Sequence, residues 1–244
     1  MKKTDNIPNC SGEVSARIVK NSKLKQIFNY KGVLKLKKIK LLFQGDSITD
    51  AGRNRDDIHN LGEGYPKYAA KYLEEKYPEI DFEFINLGIS GNQTCDLVDR
   101  LESDFIEIQP DIVSILIGIN DVWSHVENKD WMPDDVFEER YRTVLDAVKN
   151  RTNAKIMILE PFLLPVEYRL YYREDLSPKI EIIRKLAREY ADVYLPTDGL
   201  INSVYINRSD DPFSYSADGI HPLPKGAEYI GGLYAEYISH ILEN

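Results

Sequence analysis

The stretch IKLLFQGDSITD, residues 39–50, passes from a short apolar run into a glycine, an acid and a hydroxyl. Its first half has the near-continuous hydrophobicity of a strand buried on both faces. Its second half supplies a tight turn that leaves Ser47 at the strand's carboxyl end. The pattern recurs in DFEFIN (81–86), DIVSILIG (111–118), AKIMILE (154–160) and DVYLP (192–196). Between these runs lie helix-period segments at about 65–77, 95–108, 133–149 and 177–191, with a last one at 223–241. Met132-Pro133-Asp134-Asp135 opens the third segment with a proline and two acids, and Ser177-Pro178 opens the fourth. Alternating strands and helices predict an α/β fold, a three-layer αβα sandwich on a five-stranded, mostly parallel sheet. In such a sheet a ligand site forms beyond the carboxyl ends of the strands.

Each of those ends carries polar chemistry. Ser47, after Gly45-Asp46, reads either as an exposed nucleophile or as part of an Asp/Ser helix cap. Asn86-Leu87-Gly88-Ile89-Ser90-Gly91-Asn92-Gln93-Thr94 permits a loop whose N–H groups face an oxyanion, and equally a plain turn. Ser90 is a rival nucleophile without a base in its own segment. Asn120, in Gly118-Ile119-Asn120-Asp121, caps the next helix or donates its amide into the site. In Ser216-Ala217-Asp218-Gly219-Ile220-His221-Pro222, the carboxylate of Asp218 can take the Nδ1 proton of His221 and leave Nε2 to face a nucleophile. Taken together, these residues supply what acyl transfer needs: nucleophile, base, orienting acid and oxyanion donors.

GDSIT, GISGNQT, GIND and DGIHP, in this order and spacing, resemble the four blocks of the SGNH (GDSL-type) hydrolases. The resemblance runs over about 39–244, read as the hydrolase domain, with 1–38 as a basic extension outside it. It implies a flavodoxin-like sandwich without metal or cofactor. It also implies Ser47 as nucleophile, His221 as base with Asp218, and an oxyanion hole made by the Ser47 and Gly91 N–H groups and Asn120. The wording GDSITDAGR, GISGN and GINDVW is similar in particular to bacterial acetylxylan esterases and related carbohydrate deacetylases. That implies a serine esterase removing small acyl groups, acetyl foremost, through an acyl-serine. The alternatives are a lysophospholipase, thioesterase or arylesterase on the same site, and a non-catalytic binder of sugar or nucleotide.

Asp46 and Trp123 are assigned to substrate contact. Trp131, Tyr168, Tyr171 and Tyr172 offer further aromatic faces that suit sugar stacking and core packing equally. Residues 198–216 read as a polar loop bordering the cleft. Arg53 and Arg55 read as surface arginines rather than anion ligands. Asp46, Asp50, Asp57 and His59 match no metal loop, and no phosphate-binding or dinucleotide fingerprint is present.

Composition narrows the classes further. The 244 residues are 43% hydrophobic, enough for one sizeable core and too many for a disordered chain. Apolar runs such as IVSILIGI (112–119) fall short of the roughly 20 residues a bilayer needs. The first forty residues hold eleven Lys/Arg against two acids, whereas the remainder is strongly acidic within a net charge of −9. An acidic body argues against nucleic acid as a partner. The expected partner is a small-molecule or oligosaccharide ester, and a homo-oligomer is compatible with the sequence. Cys10 and Cys95 form no disulfide framework and the N-terminus lacks the apolar core of a secretory signal, so a cytoplasmic setting is expected. Residues 26–36 read as a hairpin, or 17–28 as a basic amphipathic helix.

Overall fold

The structure, a computed structural model, describes residues 37–126, 128–208 and 211–243. The two readings of 17–36 and nearly all of the basic extension lie outside these residues. Lys37 and Lys38, assigned to that extension, instead open the first strand.

Five strands form the sheet: β1 (Lys37–Gly45), β2 (Ile80–Asn86), β3 (Ile112–Leu116), β4 (Lys155–Leu159) and β5 (Val193–Leu195). All are parallel and lie in the order β2-β1-β3-β4-β5. This is the flavodoxin order, with its topological switch between β1 and β3. The helices are α1 (Ser47–Asp50), α2 (Tyr65–Lys76), α3 (Thr94–Asp99), α4 (Ile119–Trp123), α5 (Asp134–Arg151), α6 (Arg173–Tyr190), α7 (Thr197–Arg208), α8 (Pro224–Tyr237) and α9 (Ser239–Leu242).

Strand periodicity divides the core in two. Ile39, Leu41 and Phe43 of β1, with Met157 and Leu159 of β4, point into a cluster completed by Tyr65, Ala69 and Leu73 of α2 and Ile230 and Tyr234 of α8. Leu42, Val113, Ile115, Ile156 and Ile158 point the other way. They meet Phe137, Tyr141 and Val144 of α5 and Ile183 and Leu186 of α6. Both faces of the central strands are therefore covered, which is why β3 and β4 read as unbroken apolar runs, whereas edge strand β2 alternates and leaves Asp81 and Glu83 exposed. Phe43, Tyr65 and Tyr234 pack ring on ring, their centroids 5.2 to 6.0 Å apart. Among the described residues no helix is long and apolar enough to cross a membrane.

Three elements differ from expectation. The helix expected at 95–108 is divided into α3 and a π-turn at Glu102–Ile106. The Arg100 guanidinium fills the join, donating to the Leu87 carbonyl and to Asp104. Pro178 does not start α6. A 3₁₀ turn, Glu167–Tyr172, feeds the helix at Arg173, and Glu174 and Asp175 occupy its first turn. The expected loop 198–216 is helical over its first half, residues 198–208 belonging to α7, which buries Ile201 and Val204.

Candidate active site

The end of β1 sets the geometry. Gly45 is required there by close approach, because an added Cβ would lie 2.3 Å from the Leu116 carbonyl oxygen and 2.4 Å from Thr49 Oγ1. Asp46 then turns inward and caps α1, its carboxylate accepting the Ile48 N–H at 2.9 Å. Ser47 faces the other way, into a cleft of about 380 Å³ lined also by Ser90, Gly91, Gln93, Asn120, Trp123 and His221. The cap reading and the exposed-hydroxyl reading thus apply to adjacent residues. Asp46 was assigned to substrate contact and is instead fully enclosed. Its neighbour on the outward side of the turn takes the cleft position.

The Ser47 hydroxyl lies 2.8 Å from His221 Nε2, and His221 Nδ1 lies 2.8 Å from Asp218 Oδ2. An ionised carboxylate only accepts, so Nδ1 carries the proton and Nε2 is left to accept from the serine. Asp218 is itself fixed. Its Oδ1 accepts the N–H groups of Ile220 and His221 and the Ser216 hydroxyl. The loop closes through a bridge between Ser216 and Pro222 and is pinned by the Leu164 N–H on the Gly219 carbonyl. Gly219 sits at φ 84° with Leu164 O only 3.1 Å from where a Cβ would stand, so a side chain there would strain the loop. Burial works against ionisation of Asp218, yet the donors around it hold its carboxyl well below the usual range. The same hydrogen bond raises His221 above 6.5.

Gly91, on a loop, and Asn120, in the first turn of α4, stand on segments tied together at two points. Asn120 Nδ2 donates to the Asn92 carbonyl at 3.0 Å, and Asp121 accepts both the N–H and the hydroxyl of Thr94. The second N–H of the Asn120 amide is not needed for that tie. Gly91, at φ 87° with open space around it, belongs to the loop between β2 and α3. Two residues read as surface arginines brace this loop. Arg53 is buried and donates to the Gly88 carbonyl at 2.9 Å. Arg55 pairs with Asp50 at 2.5 Å. Asp50 in turn accepts the N–H and hydroxyl of Ser90, so the rival nucleophile's hydroxyl points to a carboxylate rather than an imidazole.

Trp123 lines the cleft with its ring 5.9 Å from that of His221, while one indole face is covered by the guanidinium of Arg169 at 4.0 Å. Tyr172 is buried against Trp123, and Trp131 packs on the core. Tyr168 and Tyr171 remain exposed on the 3₁₀ turn. Arg169 escaped sequence reading because no local pattern marks an arginine that reaches across loops.

Desolvation pushes Asp46 up to about 7 and Asp121 to about 6, each against hydrogen bonds that favour the carboxylate. Raised carboxyl values mean that the stability these groups lend is full below pH 4 and is lost as pH rises to the folded value. Asp46→Asn keeps the acceptor for Ile48 and cannot ionise. Its melting temperature relative to wild type is expected to climb between pH 4 and 7. A difference that stays flat would contradict a neutral Asp46.

Comparison with known proteins gives the family. The GDSL-like lipase/acylhydrolase family matches residues 43–229, and the chain belongs to that family. It is 33% identical to an acetylxylan esterase of Geobacillus stearothermophilus over 77% of this chain and 88% of that one. The crystal structure of that organism's acetylxylan esterase Axe2 superposes with a TM-score of 0.73 at 31% identity, covering 85% of this chain and 96% of the other. A Parabacteroides merdae structure described as a GDSL-like lipase gives 0.77 at 30% identity, over 84% and 98%. Catalytic mutants of Axe2 have been solved at a serine, an aspartate and a histidine. The protein is a GDSL-type esterase.

Proposed function

We propose that this esterase removes small acyl groups, acetyl foremost, from an acylated carbohydrate through an acyl-serine intermediate. The observation that carries the reading is the continuous hydrogen-bonded line Ser47–His221–Asp218 opening into the cleft beside Asn120 and Gly91. Ser47 Oγ attacks the ester carbonyl as His221 Nε2 takes its proton. The tetrahedral oxyanion is met by the Ser47 and Gly91 N–H groups and the Asn120 amide. His221 returns the proton to the departing sugar oxygen. It then takes one from water, whose hydroxide attacks the acyl-serine, and passes that proton to Ser47 Oγ as the acid is released.

A small acyl group is favoured because the cleft is open and shares its walls with Ser90, Gln93 and Ser124, rather than being an apolar tunnel. A carbohydrate is favoured by the kinship with acetylxylan esterases and by the exposed rings of Tyr168 and Tyr171. The test is acetate release from a panel of acetylated sugars, with acetyl and octanoyl p-nitrophenyl esters compared alongside. Preference for the octanoyl ester would instead indicate a lipid acyl hydrolase.

Two expectations follow for the chemistry. Asn120→Ala is expected to lower kcat by about 10²- to 10³-fold with a smaller change in KM, since its amide acts on charge that develops only in the transition state. An unchanged kcat removes Asn120 from the oxyanion hole. The base must be neutral to work and Asp218 raises its proton affinity. The acidic limb of kcat/KM is therefore expected at a pH above the ordinary imidazole value of 6.5, activity rising with pH through it.

A further inference from the structure

Arg169 sits on the 3₁₀ turn Glu167–Tyr172, outside every motif the sequence marks. Its side chain is only 13% exposed, and its surroundings hold it on three sides. The guanidinium carbon lies 4.0 Å from the centre of the Trp123 ring, a cation–π stack. Nη1 donates to the Tyr172 hydroxyl at 2.9 Å. Nη2 stands 3.5 Å from Asp218 Oδ2, the oxygen that also accepts the hydrogen bond from His221 Nδ1–H. A planar, permanently charged group held in this way is far more restricted than a surface arginine.

We propose that Arg169 is a positioning residue for the Asp218–His221 pair, gripping the carboxylate oxygen that receives the imidazole N–H and tying it to Trp123 in the cleft wall. The inference rests on His221 acting as the general base. Arg169 is not among the residues that line the cleft and acts through Asp218.

The arrangement also balances charge around the base. His221 is faced by Asp218 from its own loop, by buried Asp46 from the end of β1, by Arg169 from the 3₁₀ turn and by the neutral Ser47 hydroxyl. Asp218, joined by Asp46 only where Asp46 is ionised, favours the imidazolium and the arginine disfavours it. Without Arg169 the Asp218 carboxylate acts unopposed, more imidazole is protonated in mild acid, and less base is available.

The experiment follows the His221 imidazole by NMR through a pH titration of the resting protein, with His221→Gln to identify its signal, and runs kcat/KM against pH in parallel. Arg169→Met keeps the length and removes the charge; Arg169→Lys keeps the charge. In Arg169→Met, His221 is expected to titrate at higher pH than in wild type. Its kcat/KM is expected to fall about tenfold at pH 6 and about threefold or less at pH 9, with Arg169→Lys recovering most of the loss at pH 6. Tyr172→Phe leaves the cation in place but removes a hydroxyl that anchors it, and is expected to move the titration the same way by less. It also serves if Arg169→Met does not fold. Identical His221 titration in wild type and Arg169→Met overturns the proposal, as does equal impairment of the Met and Lys variants. Should the wild type release no acid from any ester, the esterase chemistry fails, while the titrations still decide the role of Arg169.

Discussion

His221→Ala is expected to lower kcat on an acetyl ester by about 10⁴- to 10⁶-fold, Ser47→Ala by a similar factor, and the double variant by no more than either alone. The reason is geometric. Ser47 Oγ and His221 Nε2 share one hydrogen bond of 2.8 Å, so the alcohol loses its proton only as the imidazole gains it. Removing either partner removes the same step. A fluorophosphonate probe checks the nucleophile separately from turnover: wild type is labelled and Ser47→Ala is not. Labelling that persists in Ser47→Ala would move the nucleophile elsewhere. Simple additivity in the double variant would mean that the two groups act in different steps.

The second large effect concerns Asp218→Asn, for which a loss in kcat of about 10⁴-fold is expected. The amide can still accept at one oxygen, and so can keep the N–H groups of Ile220 and His221. At the other position it presents N–H hydrogens to Nδ1, which must then be unprotonated. The proton moves to Nε2 and faces Ser47, leaving no lone pair to take the hydroxyl's proton. The loss of the carboxylate also lowers the proton affinity of the imidazole, so whatever activity remains should show its acidic limb at lower pH than wild type. Stability gives an independent sign. A carboxyl held below its ordinary value lends stability above pH 3.8 and loses it as pH falls through the folded value. The melting-temperature deficit of Asp218→Asn should therefore be present at pH 7 and shrink toward pH 2. Unaltered kcat in this variant would leave His221 oriented by something other than Asp218.

The central strands β3 and β4 were legible because each is covered on both sides, so burial wrote itself as an apolar run, while edge strand β2 showed as alternation, with Asp81 and Glu83 facing solvent. The four polar blocks were legible because strand ends and the last loop are short, and short connections confine side chains to one rim. What could not be read locally was direction. Asp46 and Ser47 are neighbours, but the turn sends one into the core as a cap and the other into the cleft. The start of α6 was misread because Pro178 resembles a first-turn proline, while the acids at 174 and 175 gave the truer signal. α7 buries only a narrow face through Ile201 and Val204, and its asparagines and glycine suggest a loop. Arg53, Arg55 and Arg169 find their acceptors through folding, at contacts that no spacing encodes.

The serine and the imidazole stand 174 residues apart in the chain, at opposite ends of the described fold. What joins them is the seating of α8 against α2, so close that a Cβ on Gly231 would lie 2.5 Å from that of Tyr68. During synthesis the hydroxyl emerges first and waits, chemically ordinary, until the segment that carries His221 has followed it. A polypeptide that has reached only β5 lacks its base, and hydrolytic power arrives when that later segment docks.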